Sequence, residues 1–180
     1  MLQLKIEDAM FFDEVTETRV MIKGQTLQLE HSLVSVSKWE AKWKKPFLNR
    51  EGHTREETID YIRFMTITQN VNPLLYSMIT DNQIREVQKY MDDPMTATTF
   101  AKQEGKGGAV RATTSEEIYY AMAAYQIPFT CEKWHLNRLL TLIRVADEKN
   151  TPQKNIGRGD LARRTRSLNA ARRASMHSRG

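Results

Sequence analysis

The apolar positions change period near residue 30, and that change divides the chain into strands followed by helices. Leu2, Leu4 and Ile6 alternate with polar residues, as do Leu27 and Leu29. A period of two is the mark of a half-buried strand. Arg19 to Lys23 is rich in Val, Met and Ile, and Gly24-Gln25 reads as a turn into the next strand. The first thirty residues therefore predict a small antiparallel sheet. From Ser32 to Lys45 the period lengthens: Leu33, Val36, Trp39 and Trp43 fall three and four apart, and Pro46 ends the run. Thr54-Arg-Glu-Glu57 is a capping box ahead of Tyr61, Ile62 and Met65. Asn72-Pro73 is a helix start, since proline lacks only an amide that would go unpaired there. Thr80-Asp-Asn-Gln83 opens a helix carrying Ile84, Val87 and Met91, which stops at Asp92-Asp93-Pro94.

Gln103 to Arg111 holds Gly105, Gly107 and Gly108 and reads as a loop. Thr114-Ser-Glu-Glu117 is a further capping box, leading to Ile118, Met122 and Tyr125. Cys131 to about Asp147 is the most hydrophobic helix, with Leu136, Leu139, Leu140 and Ile143 in one stripe. Trp134, Leu142 and Val145 widen its apolar surface, which predicts a central helix covered on more than one side. The expected fold class is α+β: a small N-terminal antiparallel β-sheet, a mainly α-helical bundle built around Cys131–Asp147, and a basic C-terminal arm. The body is expected over 1–149, with strands at about 1–30 and helices at about 32–149. Linker and arm take 150–180, where Asp160 is placed to cap a short helix with Leu161, Leu168 and Met176 as its stripe.

Charge sharpens this division. The chain has 180 residues and a formal net charge of +5. Eight basic residues beyond Asn150, against the single acid Asp160, give the arm +7 and leave the body at −2. An arm of this kind meets nucleic acid, an acidic protein or its own body. Arg163, Arg164, Arg166, Arg172 and Arg173 are its candidate contact residues. On phosphates they would give binding that weakens steeply with salt.

The candidate chemistry is sparse. The single cysteine, Cys131, excludes an internal disulfide and suits a reducing cytoplasm. Neither a signal peptide nor a membrane-spanning run is present, so no membrane role is expected. Cys131 and His135 are four apart, yet no second pair completes a zinc site, and packing is the better reading. Gly105-Lys-Gly-Gly108 lacks the P-loop pattern. Asp92-Asp93 and Glu116-Glu117 sit at helix ends, where the helix dipole accounts for them. Arg158-Gly-Asp160 matches an adhesion tripeptide by coincidence. Trp39 and Trp43, among Lys38, Lys42, Lys44 and Lys45, allow core packing, base stacking or, with Phe47, an apolar docking face. No catalytic, cofactor or metal site is expected, and binding is expected in preference to chemistry.

Several segments carry a resemblance. LEHSLVSVSKWEAKWKKPFL (Leu29–Leu48), TIDYIRFMTIT (Thr58–Thr68), DDPMTATTF (Asp92–Phe100), TSEEIYYAM (Thr114–Met122), IPFTCEKWHLNRLLTLIRV (Ile127–Val145) and SLNAARRA (Ser167–Ala174) run in order along the chain. Together they resemble a family encoded by tailed bacteriophages, identified as siphophage tail-assembly chaperones. The resemblance implies a non-enzymatic protein of the host bacterial cytoplasm that binds the tape-measure protein and helps recruit tail-tube subunits. It implies no cofactor, and a homo-oligomer suits a coat on a long helical ruler. The alternative is a virion-structural or nucleic-acid-binding phage protein that uses its basic arm.

Overall fold

The computed structural model describes residues 1–13, 18–48, 52–100, 113–150, 165–169 and 172. The chain divides into Met1–Asp147 and Glu148–Gly180. The fold of the first unit is α+β, a small N-terminal antiparallel sheet followed by helices.

Four strands come first: β1 (Leu2–Ile6), β2 (Ala9–Asp13), β3 (Thr18–Ile22) and β4 (Gln25–Leu29). β1 pairs antiparallel with β4, Leu2 opposite Leu29 and Ile6 opposite Gln25. β2 pairs antiparallel with β3, Ala9 opposite Ile22 and Asp13 opposite Thr18. Paired position numbers add to the same total in both ladders, so they form one ribbon in one register. Its two strands are interrupted at the same level, by Glu7-Asp8 and Lys23-Gly24. Gly24 is therefore no reversal, contrary to the turn expected there. Its amide donates to Asp8 Oδ1 at 2.6 Å. A Cβ on Gly24 would lie 2.3 Å from the Ile6 carbonyl oxygen and 2.7 Å from the Asp8 nitrogen. Only glycine lets the two backbones approach this closely.

The β1–β4 half follows the alternation of its sequence. Leu4, Ile6, Leu27 and Leu29 are buried, while Gln3, Lys5, Thr26 and Gln28 face solvent. The outer edge of β4 is closed by the residues that end the second helix. Ile67 N–H donates to Gln28 O at 2.8 Å, and Glu30 N–H donates to Met65 O at 2.9 Å.

The helices are α1 (Leu33–Trp43), α2 (Arg55–Met65), α3 (Leu74–Ser77), α4 (Asp81–Met91), α5 (Ser115–Ala124) and α6 (Leu136–Asn150). Hydroxyl caps open four of them. Thr54 accepts the Glu57 N–H while Glu57 reaches back to the cap, and Thr80 and Gln83 do the same for α4. Ser32 and Ser35 form the box of α1, and Thr114 accepts the Glu117 N–H at α5. Each cap pairs an amide that the helix itself leaves unpaired.

The last helix departs from expectation. Phe129–Lys133 is a 3-10 turn, Trp134 is extended, and α6 begins only at Leu136. The reason is a contact distant in sequence. His135 bridges Ser32, and Leu136 N–H donates to His31 O at 2.7 Å. Those bonds need an extended backbone where a helix would have run. Nor is α6 the centre of the bundle. Only Leu136 and Leu139 are buried on it, while Leu140, Leu142 and Ile143 are half-covered. The core instead lies where α1 and α2 meet the β1–β4 face, through Leu33, Val36, Trp39, Tyr61, Ile62 and Met65. Ile118 and Met122 of α5 close it.

In the second unit, residues 165–169 and 172 are helical, and Leu168 is exposed. Asp160, Leu161 and Met176 lie outside the described residues, as does the glycine-containing stretch 103–111.

Candidate functional site

The tryptophan segment is built into the core. Trp39 is fully buried, and its indole N–H donates to Glu57 O at 2.9 Å. Its ring meets Phe47 edge-on at 5.1 Å and His53 at 4.8 Å. Phe47 is buried as well, stacked 4.0 Å from Tyr61. Trp43 is half-buried against the same cluster. A docking face of Trp39, Trp43 and Phe47 is therefore replaced by core packing, because α2 covers the apolar side of α1. Two of the lysines beside them are engaged too. Lys42 pairs with Asp60, and Lys45 with Glu57 at 2.5 Å. The hydrogen bonds from Lys45 and from the Thr54 amide hold the Glu57 carboxyl below its ordinary range. Buried Glu40 accepts the Phe47 N–H with one oxygen and the Ser115 N–H with the other, both at 2.8 Å. One carboxylate thus fixes the chain after α1 to the start of α5.

A second cluster is polar and centred on the buried His31, Ser35 and Tyr61. His31 Nδ1 lies 2.5 Å from the Tyr61 hydroxyl, and Ser35 Oγ lies 3.2 Å from the same oxygen. The His31 and His135 rings meet edge-on at 5.1 Å. His135 Nε2 donates to Tyr90 O at 3.1 Å. Tyr90 in turn donates to Glu30 Oε1 at 2.7 Å. Burial, and then the neighbouring His135, push His31 down to about 3, so its imidazole is neutral near neutral pH. Burial drives the Tyr61 and Tyr90 hydroxyls upward. His31, Ser35 and Tyr61 are buried and pair their polar groups with one another, whereas Tyr90 and Glu30 are half-buried and His135 Nδ1 is buried without a hydrogen-bond partner. Cys131 and His135 do not share a helix: Cys131 is in the 3-10 turn and His135 is at the Ser32 bridge. Among the described residues no group of three His, Cys, Asp or Glu side chains could hold a metal ion.

Carboxylates at helix ends occupy the positions their sequence placed them in. Glu116 and Glu117 lie in the first turn of α5, and Asp92 follows the last turn of α4. Of the arm arginines, Arg166 and Arg172 are exposed helical residues, while Arg163, Arg164 and Arg173 lie outside the described residues. Arg158-Gly-Asp160 and Gly105–Gly108 lie outside them too.

The surface that the sequence pattern did not single out is the distal half of the ribbon. Met10 is 64% exposed, Met21 69% and Val20 45%. Met10 and Met21 are register partners, so they stand side by side on one face. Val20 lies on the other face, opposite Phe11 in register. Both faces of β2–β3 thus carry apolar positions, whereas β1–β4 alternates cleanly. The signal was present in Ala9–Asp13, where three consecutive large apolar residues break the alternation. Methionine suits such a surface, since its flexible thioether adapts to varied partners.

No helix among the described residues is long and apolar enough to cross a membrane. No family model, curated protein or solved structure matches the chain.

Proposed function

We propose that this chain is a tail-assembly chaperone of a long-tailed bacteriophage. It binds the tape-measure protein, helps recruit tail-tube subunits, and acts without catalysis in the host bacterial cytoplasm. The ordered blocks from Leu29 to Ala174 suggest the family. The observation that carries the binding role is the exposed apolar surface of β2–β3, with Met10 and Met21 adjacent and uncovered. A contiguous apolar patch on a folded protein marks a surface awaiting a partner. A long helical ruler exposes apolar stripes of its own until the tube encloses it. Met10 and Met21 offer a conforming cover on one face, and two thioethers can repack as successive stripes pass.

The test is co-expression of the full chain with the tape-measure protein of the same phage. The chaperone reading expects the tape-measure protein to stay soluble and to co-purify with the chain. A tape-measure protein that aggregates equally with and without it sinks the reading. The competing role places the +7 arm on nucleic acid. It is tested by titrating DNA or RNA at several salt concentrations. A steep salt slope that vanishes on deleting residues 150–180 favours that role.

A further inference from the structure

Phe47 meets solvent-sized space, though not on an exposed face. Between α2 and α4 lies a pocket of about 190 Å³. Its walls are Phe47, His53, Tyr61, Ile62, Val87 and Met91. The Phe47 ring stacks between His53 at 4.8 Å and Tyr61 at 4.0 Å, so three rings form one side. Ile62 and Val87 face them from the core and are buried. Native interiors leave few voids larger than a water molecule. This space is far larger, and among the described residues no Asp, Glu, Lys or Arg lines it. At its mouth stand Gly52, Thr58 and Gln88. A Cβ built on Gly52 meets no atom of the described residues within 4 Å. The side-chain amide of Gln88 has no partner among the described residues.

We propose that this pocket binds a single uncharged aromatic ring of about benzene size. Size and lining both select that class. An apolar cavity of about 150 Å³ is enough to take benzene. The stacked wall offers ring faces and edges to a further ring, a contact that branched aliphatic groups cannot match. A charged group would lose its water against Ile62, Val87 and Tyr61, with no Asp, Glu, Lys or Arg among the described lining residues to pair it. The ring has two sources in the cell: a free aromatic molecule, or a phenylalanine side chain of a bound protein. The second source rests on the client-binding role proposed above; the pocket itself does not.

The experiment uses the full chain with labelled methyl groups, titrated with toluene in one arm and N-acetyl-phenylalaninamide in the other. The expected result is saturable shifts at Ile62, Val87 and Met91, with contacts from the toluene protons to those methyls. Binding of toluene alone assigns the site to free aromatic molecules. Binding of both probes assigns it to a protein side chain. Val87→Phe fills the space and should weaken toluene binding by at least about tenfold. Toluene contacts need no variant, so misfolding of Val87→Phe does not blunt the test. Absence of saturable shifts with either probe overturns the proposal. So does toluene contact confined to Met10 and Met21. Neither result bears on whether the tape-measure protein co-purifies, so the two proposals fail separately.

Discussion

His31→Gln should flatten the acid side of the stability profile. His31 is 4% exposed, and its folded-state value is about 3 against an ordinary 6.5. The unfolded chain therefore takes up a proton near pH 6.5 that the folded chain refuses until about 3. A depressed folded value gives stability that is fully present above 6.5 and drains away as pH falls. The slope approaches about 1.4 kcal/mol per pH unit, and the loss from about pH 7.5 to about pH 5 is about 2 kcal/mol. Glutamine keeps a polar group beside the Tyr61 hydroxyl but has nothing to titrate. The assay is urea unfolding at half-unit steps across that interval, for the native chain and the variant. Glu57 does not confuse the result, because its depressed carboxyl acts only below its ordinary value of 4.5. The variant may not be compared at a single pH, since its own packing cost shifts the whole curve; only the slope is read. Parallel slopes for the two proteins would refute a neutral buried His31.

Trp39→Ala should cost about 3–5 kcal/mol by urea unfolding, through lost ring contacts and the lost bond to Glu57 O. An unchanged midpoint would return Trp39 to the surface. Gly24→Ala should cost about 1–3 kcal/mol, because the new Cβ meets backbone on three atoms and not a movable side chain. A variant as stable as the native chain would mean that the two strands do not approach there. Met10→Gln with Met21→Gln should leave stability within about 0.5 kcal/mol, as for other exposed sites. The same pair should lose the soluble tape-measure complex; retention of that complex would move the client surface off the ribbon.

What the sequence disclosed was local. The hydroxyl caps at Thr54, Thr80 and Thr114 depend on an amide three residues on, and they stand where the pattern put helix starts, though the reciprocal half of the box expected at Thr114 is not formed as it is at Thr54. The alternation of Leu2, Leu4 and Ile6 was legible for the same reason. What escaped it depends on distant partners. Nothing near Trp134 announces that His135 will bridge Ser32 or that His31 O will take the Leu136 amide. An apolar surface all round α6 states that cover is welcome, not that cover exists. Gly24 allowed a turn and a close approach equally, and only the common register decides between them. The exposed faces of β2–β3 became visible only once Met10 was set opposite Met21. Phe47 could be ranked as apolar from its sequence, but its place as a pocket wall needed α4 beside it.

The single register running through the interruption has a consequence for how such a protein diversifies. β2 and β3 can lengthen or shorten by matched pairs of residues, one from each strand, without moving Leu4, Ile6, Leu27 or Leu29. Each such change renews the distal faces while the buried β1–β4 pairs keep their alignment. On the role proposed above, a lineage could track a drifting partner with the ribbon alone, leaving the helical body to be selected for stability. An odd insertion in one strand is the forbidden step, because it would turn every side chain beyond it to the opposite face.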